Sequence, residues 1–108
     1  MALKFFIKQN DTSPALRATL KDSSGNIQNI SGATITFQMR SASSSTYKIN
    51  GSASIADAGG GVVEYEWQSG DTDTAGFYQA EFEVTYFDGK KETFPNVGNI
   101  YVEVVATT

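Results

Sequence analysis

The sequence predicts an all-β protein, a sandwich of about seven to nine antiparallel strands. Three observations carry the prediction. Short runs alternate apolar and polar residues along most of the chain. No long segment places apolar residues at i, i+3, i+4 and i+7. Clusters of Gly, Asn, Asp, Ser and Pro interrupt the runs at fairly regular intervals. A chain of 108 residues is the size of one domain, and neither a linker nor an internal repeat divides it, so residues 1–108 read as a single domain. A closed barrel is less favoured, because the loops are uneven and the chain is short for a barrel that holds a ligand.

Each strand has its own pattern. Leu3, Phe5 and Ile7 alternate with Lys4, Phe6 and Lys8 in the first. Residues 10–14, ending in Pro14, break that ladder. Leu16, Ala18 and Leu20 alternate with Arg17, Thr19 and Lys21 in the second strand, and residues 22–26 form a turn cluster. Ile27 and Ile30 flank a short crossing to the third strand, where Ala33, Ile35, Phe37 and Met39 alternate with polar residues. The serine-rich stretch 41–45 reads as a solvated, mobile connection. Asn50-Gly51 offers the positive-φ pair of a type I′ hairpin between residues 46–49 and 52–56. Gly59-Gly60-Gly61 reads as a flexible break.

Val63, Tyr65 and Trp67 then share one face of a strand whose other face carries Glu64 and Glu66. After a polar turn, Tyr78, Ala80, Phe82, Val84 and Tyr86 alternate with Gln79, Glu81, Glu83 and Thr85 in the longest strand. Asp88-Gly89 is a second strong hairpin turn. Its partner strand begins at residues 90–94 and resumes at 99–106. It is interrupted at Pro95, which has no N–H to give to a ladder.

Composition excludes much chemistry. Eight Lys and Arg against twelve Asp and Glu leave a net charge of −4, which offers no footprint for nucleic acid or an anionic membrane. Cys and His are both absent, and with them go disulfides, thiolate nucleophiles, the usual neutral-pH base and the usual zinc ligands. The expectation is a non-enzyme with no catalytic, cofactor-binding or metal site and no cofactor. The paired carboxylates Glu64/Glu66 and Glu81/Glu83 fall on outer strand faces of different sheets, so they read as solvated surface rather than as an acid–base pair. Asp71 and Asp73 alone supply too few oxygens for calcium. Lys4 and Lys8 bracket only three apolar residues, too few for a signal peptide, and the chain reads as a complete cytoplasmic product starting at Met1.

The sharpest local signal is Asp71-Thr72-Asp73-Thr74-Ala75-Gly76-Phe77-Tyr78-Gln79-Ala80. It has the form D-x-A-G-x-Y-x-small ahead of a long strand. In immunoglobulin-like sandwiches a Tyr placed here turns its hydroxyl back to the backbone a few residues upstream. Tyr78 takes that role, Gly76 permits the bend, and Asp73 caps the turn. These three residues form the expected structural corner of an immunoglobulin-like β-sandwich.

Longer phrases carry a family resemblance. They are Phe6-Ile7-Lys8-Gln9-Asn10-Asp11-Thr12-Ser13-Pro14-Ala15-Leu16, Ile30-Ser31-Gly32-Ala33-Thr34-Ile35-Thr36-Phe37-Gln38-Met39-Arg40, Gly70-Asp71-Thr72-Asp73-Thr74-Ala75-Gly76 and Glu92-Thr93-Phe94-Pro95-Asn96. In this order they resemble the immunoglobulin-like domain at the N-terminus of tailed-bacteriophage upper baseplate proteins and its free-standing relatives, from about Phe6 to Val104. The resemblance implies a non-catalytic virion structural protein of the baseplate, tail or head, made in the host cytoplasm. It would work through contacts with other virion proteins or with copies of itself. A carbohydrate-binding or adhesion module is the alternative from another class. Neither nucleic acid nor membrane is an expected partner.

The aromatics divide between core and surface. Tyr65 and Trp67 share the face of Val63 and belong to the core. Phe6, Phe87, Tyr101 and Val105 fall on the outward register of their strands and form the expected interaction surface. The first and last strands are the expected open edges, available for strand addition.

Overall fold

The computed structural model describes residues 3–107, with side chains from residue 4 onward; the start at Met1 and the end at Thr108 lie outside the described residues. The regular structure is eight strands: β1 (Leu3–Lys8), β2 (Leu16–Thr19), β3 (Thr34–Ser41), β4 (Tyr47–Asp57), β5 (Val62–Tyr65), β6 (Gly76–Thr85), β7 (Lys91–Phe94) and β8 (Ile100–Val105). Among the described residues there is no helix, as the missing 3.6-residue periodicity requires.

Hydrogen bonds run in one path, β1-β8-β6-β3-β4-β5-β2, with β7 beside β6. Strand β4 is the hinge of this path. Its first part, Tyr47 to Ala53, pairs with β3, and its last part, Ser54 to Asp57, pairs with β5. The path therefore curls into a nearly closed, barrel-like sheet whose inner faces meet. Phe37 of β3 stacks on Tyr65 of β5 with ring centroids 4.4 Å apart, and Trp67 meets Phe37 edge-on at 5.8 Å. Phe82, Phe94, Leu16, Met39 and Val63 complete a core closed to water. Tyr65 and Trp67 are both buried in it.

The two halves of the interrupted final strand flank the same edge of β6. Strand β7 covers Phe82 to Thr85 and β8 covers Gly76 to Ala80, with the Pro95 interruption between them. The Asp88-Gly89 hairpin also forms as the sequence requires. Gly89 takes φ +88°, and the Tyr86 N–H donates to the Lys90 carbonyl at 2.7 Å.

Several expectations are corrected. The strands are not all antiparallel, because β1 lies parallel to β8, Leu3 opposite Ile100 through Lys8 opposite Val105. A parallel pair needs a long crossover, and here nearly the whole domain supplies it. For the same reason β8 is no edge: β1 covers one side of it and β6 the other. The open ends of the path are β1 and β2. Asn50-Gly51 is not a turn. Asn50 lies opposite Gln38 and Gly51 opposite Phe37, inside a strand of 11 residues. The ladder to β3 and the burial of Ile49 outweigh the local turn preference. The chain reverses instead at the serine-rich segment. There the Ser44 N–H donates to the Ser41 carbonyl, and Ser44 Oγ accepts the Thr46 N–H, both at 3.0 Å.

Candidate functional site

The registers of β1, β8 and β6 assemble an aromatic patch on the outer face of the sheet. They set Phe6, Glu103 and Phe77 in one row, and Lys4, Tyr101 and Gln79 in the next. Ile7, Tyr78, Ala80, Val102 and Val104 on the same strands are buried, so alternation turns the row residues to solvent. Phe6 is 61%, Phe77 68% and Tyr101 41% exposed. Together with Lys4, Gln79 and Glu103 they line a hollow of about 280 Å³. The second row continues across Arg40 of β3 to Tyr47 of β4, a further exposed ring.

The turn before β6 borders this patch. Tyr78 is buried, and its hydroxyl donates to the Thr74 carbonyl at 2.6 Å. Tyr78→Phe keeps the ring and removes that bond, so urea denaturation should show a loss of about 0.5–1.5 kcal/mol; a loss below about 0.3 kcal/mol would show that the hydroxyl does not pin the turn. Gly76 follows at φ +152°. Asp73 is exposed, and its carboxylate accepts the Lys48 ammonium at 2.7 Å and the Thr74 hydroxyl at 3.0 Å. The Lys48 hydrogen bond, more than any other contact, holds the Asp73 carboxyl below the usual carboxylate range. The carboxylate that takes a backbone N–H is that of Asp71, which accepts Gln68 N–H at 2.8 Å and the Tyr65 hydroxyl at 2.6 Å. Burial, reinforced by Asp71, pushes the Tyr65 phenol well above its ordinary value. Both carboxylates of this loop therefore already hold protein donors. The buried Thr72 ties the loop to the end of β1 by donating its hydroxyl to the Asp11 carbonyl at 2.7 Å.

Over residues 4–106 the chain matches the family described as the BppU N-terminal domain, the N-terminal domain of the phage baseplate upper protein. The chain belongs to this family. None of the curated proteins compared with the chain matches it. A BppU N-terminal domain is a baseplate-associated phage structural domain, which points to a component of the phage virion, to non-enzymatic work and to contact with other phage structural proteins.

Not all the residues expected at an interaction surface meet in this BppU N-terminal domain. Phe6 and Tyr101 do, on adjacent rows of the outer face. Val105 shares that face but is only partly exposed, opposite Lys8. Phe87 stands apart. It is 90% exposed, but it lies beyond the end of β6 in the hairpin turn and not on a strand, because pairing in β6 stops at Thr85. Phe77, the most exposed ring of the patch, escaped the sequence reading. Period two from Gln79 and Glu81 points to it, but the alternation is counted only from Tyr78, two residues after β6 begins. The two glutamate pairs lie on different strands that do not pair with each other: Glu64 on β5 and Glu66 just beyond its end alternate with buried Val63, Tyr65 and Trp67, and Glu81 and Glu83 on β6 alternate with buried Ala80, Phe82 and Val84.

Proposed function

We propose that this domain is a non-catalytic assembly module of a phage virion, and that the outer face of β1, β8 and β6 docks on a protein neighbour. We read its connectivity as immunoglobulin-like, with Asp73, Gly76 and Tyr78 at its corner. The observation that carries the function is the cluster of three exposed rings, Phe6, Phe77 and Tyr101, on two adjacent rows of one sheet face. Soluble monomers rarely expose contiguous apolar surface without a use for it, and aromatic anchors dominate binding energy at protein interfaces. Phe6→Ser combined with Tyr101→Ser removes two anchors that stand outside the buried core. The double variant should keep its thermal unfolding and lose at least about tenfold in affinity for its virion neighbour, or in incorporation into particles. Incorporation equal to that of the parent overturns the proposal.

One observation favours a second reading. The rings flank a hollow that also presents Lys4, Gln79 and Glu103, polar groups of the kind that orient a sugar beside an aromatic plane. A glycan array separates the two. Binding that disappears in the same double variant supports adhesion, and a blank array with retained protein docking supports assembly.

A further inference from the structure

We propose that the hollow on the outer face receives Phe87 from a second copy of this chain, so that copies associate head to tail. This rests on the reading of that face as a protein-docking surface and names its occupant. The hollow and Phe87 lie at opposite ends of the molecule. Ten residues of β6 and its turn separate Phe77 from Phe87, about 30 Å of extended chain, in a domain 45 Å long. No copy can therefore fill its own hollow.

The shapes correspond. At about 280 Å³ the hollow lies just below the roughly 300 Å³ at which small-molecule pockets begin, a size suited to a single large side chain. Phe87 is a projecting ring on a rigid support. The Asp88 carboxylate accepts the Lys90 N–H at 3.0 Å, and the Gly89 N–H donates to the Tyr86 carbonyl at 2.8 Å. A knob already fixed in the free protein loses little conformational freedom on docking.

The charges correspond as well. Lys4 and Glu103 stand at the hollow, and Asp88, Lys90, Lys91 and Glu92 flank Phe87, the Glu92 carboxylate already accepting from the Tyr86 hydroxyl and the Asn96 amide. Asp88 is thus available to Lys4, and Lys90 or Lys91 to Glu103. Because knob and hollow are different surfaces, the contact is heterologous, and repetition closes a ring or extends a filament. The short axes of the domain, 23 × 22 Å, limit a contact at one tip to about 500 Å² per copy, the weak end of specific interfaces. Self-association is therefore expected to be weak in the isolated chain and to strengthen when neighbours hold the copies in place.

Sedimentation velocity from about 10 μM to about 1 mM spans the affinities such a contact can have. The weight-average mass of the parent should rise with concentration. Phe87→Ser and Phe77→Ser should each remain monomeric, while their mixture should form dimers and nothing larger, because one knob and one hollow survive. Glu103→Lys should reduce association, and adding Lys90→Glu to the same chain should restore it. A monomeric parent throughout, association by Phe87→Ser alone, or a monomeric mixture overturns the proposal. Failure here leaves docking on other virion proteins intact, since incorporation of the Phe6 and Tyr101 double variant is read separately.

Discussion

Trp67→Ala should lower the free energy of unfolding by about 3–5 kcal/mol, a large part of the roughly 5–15 kcal/mol that holds a domain together. Trp67 lies just beyond β5 and reaches across the core to β1 and β3. It stacks on Phe5 with centroids 5.7 Å apart and meets Phe37 and Tyr65 edge-on at 5.8 and 5.4 Å. Phe5 belongs to β1, an end strand held by β8 on one side only, so loss of the indole also loosens that strand. The indole Nε1 is buried without a hydrogen-bond partner among the described residues. An unpaired buried donor disfavours the native state by about 1–3 kcal/mol. Trp67→Phe removes that donor and keeps most ring contacts, so its loss should be less than half that of Trp67→Ala. Chemical denaturation measures both. Trp67 is the only tryptophan, so the parent's emission should be blue-shifted. Emission typical of solvated indole would overturn the placement.

How far the sequence discloses this fold depends on whether local and distant preferences agree. At Asp88-Gly89 they agree: the turn wants a positive φ, the flanking strands pair, and Gly89 supplies it. Asn50-Gly51 sends the same local signal, yet the pairing of Asn50 with Gln38 and Gly51 with Phe37 overrides it. Nothing near residue 50 announces that partner. Alternation along β6 shows which side chains face inward, but not which strands lie beside it. That β1 runs parallel to β8, and so carries Phe6 into the row of Phe77, depends on residues nearly a chain length apart. The individual aromatics were therefore legible, whereas the patch they form was not. Phe87 shows the converse. Continued alternation placed it on a strand face, and the end of pairing at Thr85 moved it to a tip at the other end of the molecule.

Gly61→Ala should cost about 2–5 kcal/mol, although Gly59-Gly60-Gly61 reads as a flexible break. Gly61 is buried and adopts φ +67°. An L-residue in this left-handed region is disfavoured by about 1–2 kcal/mol. Its added Cβ would stand 2.6 Å from the Gln28 carbonyl oxygen and 3.1 Å from that of Leu20. Both are backbone atoms in a segment locked by hydrogen bonds. The Leu20 N–H donates to the Gly61 carbonyl at 2.7 Å, and the Gln28 N–H donates to the Leu20 carbonyl at 3.0 Å. They cannot rotate away as a side chain can, and relief by a backbone shift adds about 1–3 kcal/mol. Gly59→Ala is the control, because a Cβ there meets nothing within 4 Å and its φ is ordinary, so it should stay within about 0.5 kcal/mol of the parent. Gly60 falls between them. Its Cβ would come 2.5 Å from the Asp57 carboxylate, a side chain that can move once its hydrogen bond to the Gly60 N–H breaks. Urea midpoints should therefore fall in the order parent and Gly59→Ala, then Gly60→Ala, then Gly61→Ala. If Gly61→Ala unfolds with Gly59→Ala, the β4–β5 turn does not pack on the segment after β2, and the loop is as free as its three glycines make it look.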